Sequence, residues 1–148
     1  MIHLTSIVFT VLLIVAISFL ALALFLRARW LRLAHSECRV ILSGGGTGGH
    51  VNPALAIAEG IRRKEPDARF WYLGVRGKAE AVIVRRAGYP LYFVSSTGFP
   101  GLRPSWATLR FLTKLTMGVM QSVGLLIWLC PRWVVATGGY VSAPVILA

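Results

Sequence analysis

Ser43-Gly44-Gly45-Gly46-Thr47-Gly48-Gly49-His50-Val51-Asn52-Pro53, written SGGGTGGHVNP, joins a β-branched run to an alanine-rich one. The residues before it, Arg39 to Leu42 (RVIL), have the composition of a strand buried on both faces. Asn52 and Pro53 predict a helix that opens there and runs to about Arg63, because proline near the first turn gives up an N–H that has no partner anyway. Strand, glycine loop and helix together make a phosphate cradle: free backbone N–H groups and the positive helix end point at an anion. A turn that only packs helix on strand needs one or two glycines. Five in six positions, each with a high entropic cost, point to a ligand pressed against the backbone.

Gly44, Gly46 and Gly49 satisfy G-x-G-x-x-G, the dinucleotide fingerprint, whose context requires an acid about twenty residues on at the end of the second strand. That strand ends Leu73-Gly74-Val75-Arg76, without a carboxylate, although an arginine there suits the 2′-phosphate of NADP. No Lys-Ser/Thr pair follows the glycines, so a P-loop is excluded. His50 stands where the loop enters the helix, either as a structural neighbour or as a group that reaches the occupant of the cradle. The acids are Glu37, Glu59, Glu65, Asp67 and Glu80, and most fall at collar or helix-surface positions. His50 is therefore the best-placed candidate for a general base.

Working outward, Arg69 to Leu73 reads as a second strand, Lys78 to Ala87 as a helix closed by Gly88, and Leu91 to Ser95 as a third strand. A Gly/Pro-rich loop, Thr97 to Pro104, precedes a long helix from about Ser105 to Leu129. Pro131 breaks that pattern, Trp133 to Ala136 gives a fourth strand, and Gly138-Gly139-Tyr140 a second glycine turn. Strands alternating with helices predict an α/β fold, a Rossmann-like parallel sheet with crossover helices. The long helix carries Arg110, Lys114 and Gln121 near one face, and Leu115 to Cys130 is uncharged. It reads either as a crossover helix covering the sheet or as one whose outer face also dips into a membrane interface.

A composition 56% hydrophobic and 14% charged leans towards membrane proteins. Ile7 to Leu26 is free of charge and proline, and its length matches the ~20 residues that span a bilayer core. A cleaved signal peptide would have a shorter apolar stretch after a basic start. Here Arg27, Arg29 and Arg32 follow the stretch instead, which keeps the C-terminal part on the cytoplasmic side and the short N-terminus outside. The predicted organisation is a short N-terminus (1–6), one transmembrane helix (7–26), a basic collar (27–37) and a globular domain (38–148). The net charge of +11 favours anionic partners. Beside a membrane, lipid headgroups account for it without nucleic acid. Cys38 and Cys130, with no CxxC spacing, suggest neither a zinc site nor a disulfide framework.

Gly45-Gly46-Thr47-Gly48-Gly49-His50 with Asn52-Pro53 resembles the first glycine loop of the MurG family of N-acetylglucosaminyltransferases. The resemblance continues through Gly77 and Glu80 (VRGKAEAVIVRRAGYPL), the loop Gly98 to Leu102, and Gly138-Gly139-Tyr140-Val141-Ser142-Ala143-Pro144, covering roughly residues 39–148. It implies the N-terminal, acceptor-binding half of a GT-B fold, incomplete at its C-terminal end. The family transfers N-acetylglucosamine from UDP-GlcNAc to a polyprenyl-pyrophosphate-linked sugar, lipid I, giving lipid II in peptidoglycan synthesis. Carried over by position, Gly45, Gly46, Gly138, Gly139, Tyr140 and Ser142 would face the acceptor pyrophosphate. Thr47, Gly48 and Gly49 would approach the donor, and His50 would be the catalytic base. The resemblance implies no metal and no cofactor.

Ala143 stands where the family usually has glycine, and the N-terminal span is atypical of a family that binds membranes peripherally. The sequence ends before the family's His-Glu-Gln-Asn segment and donor-binding half. The donor half is then expected on a longer product or on a separate donor-binding polypeptide, as in split lipid-linked-sugar transferases. A non-catalytic lipid-pyrophosphate binder and an NADP-binding protein are the other readings.

Overall fold

The computed structural model of the chain describes residues 2–101 and 105–148. Met1 of the predicted N-terminus lies outside them, as do Leu102, Arg103 and Pro104 at the end of the predicted loop. The elements are α1 (Ile2–Ser36), β1 (Arg39–Ser43), α2 (Gly48–Lys64), β2 (Arg69–Gly74), α3 (Ala79–Arg86), β3 (Leu91–Phe93), α4 (Trp106–Leu129), β4 (Trp133–Ala136) and α5 (Ala143–Ile146).

The four strands form one parallel sheet in the order β3-β2-β1-β4. Alternation along the strands builds a core on each face. Val40, Leu42, Phe70 and Tyr72 meet Val51, Ala54 and Ala58 of α2 and Val84 of α3. Ile41 and Leu73 meet Val94, Leu129 and Val145 on the other face, against α4 and α5. β1 is buried along its whole length, as its unbroken apolar composition predicts for a strand covered on both sides.

Several boundaries differ from the sequence expectation, among them the start of α1, which is at Ile2 and not after a separate N-terminal segment 1–6. α2 begins at Gly48, not at Asn52, so Pro53 is inside the helix. The hydrogen bond that Pro53 cannot make would have gone to the carbonyl of Gly49, which is solvent-exposed and can be served by water. β3 stops at Phe93 because the Ser95 N–H donates to Gln121 Oε1 of α4 (2.7 Å) instead of to a strand. α1 does not end at Leu26 where the apolar run does. Charge alone does not stop a helix, and neither glycine nor proline occurs before residue 44.

α4 ends in a left-handed residue, Cys130 (φ 45°), followed by Pro131. Its last turn contains no basic residue, so arginines from elsewhere serve its terminal carbonyls. Arg29 of α1 donates to the Trp128 carbonyl (2.9 Å), and buried Arg39 of β1 donates to that of Leu129 (2.7 Å). Glu37 in turn pairs with Arg39 (3.0 Å) and Arg69 (3.4 Å), joining the starts of β1 and β2.

α4 approaches the end of β3 so closely that a Cβ on Gly118 would collide with the Ser95 carbonyl. Gly118→Ala should therefore destabilise the domain by about 1–3 kcal/mol. Gly124→Ala in the same helix meets nothing within 4 Å and should stabilise it by up to about 1 kcal/mol. Thermal midpoints that move in opposite directions for the two variants would bear this out; a shared direction would contradict it.

Candidate functional site

The chain steps outward from β1 through β2 to β3, and α4 then carries it back across the sheet to β4 on the other side of β1, so the strand order reverses between β1 and β4. At such a switch point the loops leaving neighbouring strands diverge and open a crevice at their C-terminal ends. The loops concerned are the two glycine loops. Thr137 N–H donates to the Ser43 carbonyl (2.9 Å), so they leave the sheet side by side.

The two loops are in direct contact, and glycine makes that contact possible. A Cβ on Gly139 would strike the Gly45 carbonyl, and one on Gly46 would come within 2.9 Å of the Tyr140 ring. Gly46 also adopts φ 89°, which few other residues tolerate. Thr47 caps α2 in extended conformation with no side-chain hydrogen bond to the helix end, and no acid occupies the first turn. The helix terminus is left for another acceptor.

His50 is held between the loops by a single residue. Thr137 Oγ1 donates to the His50 carbonyl (2.6 Å), while His50 Nδ1 lies 3.1 Å from the Thr137 carbonyl. A carbonyl can only accept, so in the neutral ring the proton sits on Nδ1, and Nε2 keeps its lone pair. Cβ atoms on Gly138 and Gly139 would fall 3.3 Å and 3.2 Å from the ring, so both glycines give the imidazole its room. This is the tautomer that a general base acting through Nε2 requires.

The structure brings Gly46, His50, Gly138, Gly139 and Tyr140 together at one rim, with Thr47, Gly48 and Gly49 opening α2 beside them. Gly45 and Ser142 lie beneath. Gly45 is buried, and Ser142 is buried with its hydroxyl donating to the Gly138 carbonyl (2.9 Å).

Glu80, expected on a helix surface, is instead fully buried under the first loop. It was missed because an acid in the first turn of a helix is ordinarily a solvent-facing complement to the dipole. One oxygen accepts from Gly46 N–H (3.2 Å) and the other from Val75 N–H (3.0 Å). Cβ atoms on Gly45 and Gly74 would both lie 2.7 Å from its side chain. Those two glycines, paired with an acid three residues after Gly77, were the available signal. Next to it the Tyr72 hydroxyl donates to the Gly44 carbonyl. Burial, then the charge of Glu80, push the Tyr72 phenol well above its ordinary pKa of 10.0. Thr137 also escaped the sequence reading, since a lone threonine ahead of two glycines carries no pattern.

The glycosyltransferase family 28 N-terminal domain model matches residues 40–148. The chain is 46% identical over 111 residues to the UDP-N-acetylglucosamine–N-acetylmuramyl-(pentapeptide) pyrophosphoryl-undecaprenol N-acetylglucosamine transferase of Desulforudis audaxviator, covering 74% of this chain and 29% of that protein. It is 45% identical over 109 residues to the protein of the same name from Desulfitobacterium hafniense, with the same coverage. Among solved structures it matches Acinetobacter baumannii MurG with a TM-score of 0.56 and 22% identity, over 72% of this chain and 29% of that one. The chain thus spans less than a third of the length of these relatives.

Glu80→Gln sets an amide NH2 against one of the two N–H donors, and should cost about 1–3 kcal/mol. It should also speed hydrogen exchange at Gly46 and Val75; unchanged exchange at both would contradict the bracing role. For Tyr72 the folded pKa exceeds the unfolded value of 10.0. Its contribution is complete below pH 10 and declines as pH rises above it, by up to about 1.4 kcal/mol per unit. Tyr72→Phe should remove that part of the alkaline slope in denaturant titrations at pH 10–11, and an identical slope would refute the assignment.

Proposed function

The chain belongs to the glycosyltransferase family 28 N-terminal domain family, and from that premise we propose that it supplies the acceptor-binding half of an N-acetylglucosaminyl transfer. The acceptor is a sugar linked through pyrophosphate to a polyprenyl lipid, as in the conversion of lipid I to lipid II. The donor is UDP-GlcNAc, bound largely by a further portion of the enzyme, whether on the same polypeptide or on a companion. The observation that carries this reading is His50, wedged between two touching glycine loops with Nε2 free to take a proton.

In this reading the pyrophosphate sits against the rim of Gly46, Gly138, Gly139 and Tyr140, with Gly45 and Ser142 shaping it from beneath. Thr47, Gly48 and Gly49 face the donor. His50 Nε2 removes the proton of the attacking sugar hydroxyl. The hydroxyl oxygen bonds to the anomeric carbon of the donor sugar as the bond to UDP breaks, and UDP leaves with the electron pair. The glycine loops contribute fixed dipoles, which need no reorganisation as charge shifts.

The same proposal puts α1 across the inner membrane, with the globular domain on the cytoplasmic side. Among the described residues, α1 and α4 are both long and apolar enough to cross a membrane by length and composition. α4, however, packs on the sheet through Gly118, Ser122 and Leu129. Its opposite side exposes Trp106 (79%), Leu109 (55%) and Met120 (72%), a face suited to lying in the interface rather than spanning it.

Residues 1–148 alone should transfer no sugar from UDP-GlcNAc; turnover by the purified chain would overturn the division of labour. Joined in frame to the donor half of one of these relatives, His50→Ala should lower kcat by about 10²–10⁴-fold while membrane attachment is unchanged. A kcat within about three-fold of the parent, far below that range, would remove His50 from the base role.

A further inference from the structure

The glycine loops have a charge problem, and a neighbouring cleft has the complement to it. The inference rests on the pyrophosphate reading above. A pyrophosphate diester carries a negative charge on each phosphate. Neither Ser43 to Asn52 nor Thr137 to Ser142 contains lysine or arginine. The end of α2 offers a partial charge of only about +0.5. Directly beneath lies the Glu80 carboxylate, which already takes the Gly46 N–H. The loops give shape and neutral donors, but not the countercharge.

Beside them, at the ends of β2 and β3, is a cleft of about 320 Å³ lined by Arg76, Ser95, Ser96, Lys114 and Gln121 among others, with no acid. Lys114 is half-buried and has no ion pair among the described residues, whose ion pairs all involve Glu37. Arg76 stacks on Phe93 at 5.3 Å, and Arg85 approaches the same ring at 5.7 Å, so positive charge gathers at this edge, and neither arginine forms an ion pair among the described residues. Parallel strands lie ~4.8 Å apart, which places the ends of β2 and β3 about 5 and 10 Å from the loop after β1. The cleft is also tied to both loops. Val75, in its wall, shares Glu80 with Gly46, and Ser96 Oγ donates to the Tyr140 carbonyl (2.7 Å).

We propose that this cleft is the cationic half of the pyrophosphate site, where Lys114 and Arg76 bind phosphate oxygens while the glycine loops supply uncharged N–H donors. A phosphate-type anion could also come from a lipid headgroup; the proposal assigns the cleft to the acceptor.

The test uses the full chain in phosphatidylcholine nanodiscs, titrated with geranyl pyrophosphate and, for comparison, geranyl phosphate. The unmodified chain should prefer the pyrophosphate by about ten-fold or more, the scale of one charge-assisted hydrogen bond. Lys114→Gln and Arg76→Gln should each weaken pyrophosphate binding by about ten-fold, while Lys114→Arg and Arg76→Lys stay within about three-fold. Glutamines at Arg63 and Lys64, in the last turn of α2 at the opposite end of the sheet, should have no effect. An equal loss in that control, or no loss in the cleft variants, overturns the proposal and leaves the acceptor reading standing. An unmodified chain without preference for pyrophosphate overturns both. Adding phosphatidylglycerol to the nanodiscs separates the two anion sources. If it weakens pyrophosphate binding by the unmodified chain but not by the R76Q/K114Q double variant, headgroups fill the cleft and the proposal fails.

Discussion

A carboxylate with no access to water is tolerable only when its oxygens are hydrogen-bonded, and much of this site follows from meeting that condition for Glu80. Its two bonds, to Gly46 and Val75, tie the loop after β1 to the loop after β2. The space it fills requires glycine at positions 45 and 74. Some of the glycines in SGGGTGGHVNP therefore serve an internal anion, and others the rim where an external one would sit. The loop is as much a socket for the protein's own charge as a cradle for a ligand.

The second glycine loop is fixed by contact with the first. Gly139 packs on Gly45, Tyr140 covers Gly46, and Thr137 holds both the carbonyl and the ring of His50. These contacts exist because β4 pairs with β1 rather than with its sequence neighbour β3. That pairing depends in turn on α4 crossing the sheet and ending in register, where Arg39 takes its last carbonyl. Site and topology are one arrangement: a shift of α4 along the sheet would carry Thr137 away from His50.

The sheet and its helices were legible in the sequence because they rest on period and punctuation. Short β-branched runs marked β1 and β4, aromatic-rich ones marked β2 and β3, and glycine or proline nearby punctuated them, while the two glycine loops marked the strand ends that meet at the crevice. The start of α2 was misread because proline usually opens helices and glycine usually precedes them, whereas Gly48 and Gly49 form its first turn. α5 was missed because four residues carry no periodicity. Glu80 and Thr137 were missed for a deeper reason. Their roles depend on which loops meet across the sheet, and local sequence does not encode that pairing at either residue.

One further consequence lies in α1, which continues unbroken through its basic end and fastens Arg29 to the terminus of α4. At 1.5 Å per residue, the ten residues after Leu26 form a stalk of about 15 Å. With the apolar part in a bilayer, as proposed, such a stalk holds the glycine loops at a set height, where a flexible tether would let them wander. An enzyme held this way meets a lipid-borne substrate by lateral diffusion. Encounter then depends on the number of acceptor molecules per unit area of membrane, and the volume of the surrounding compartment drops out of the rate.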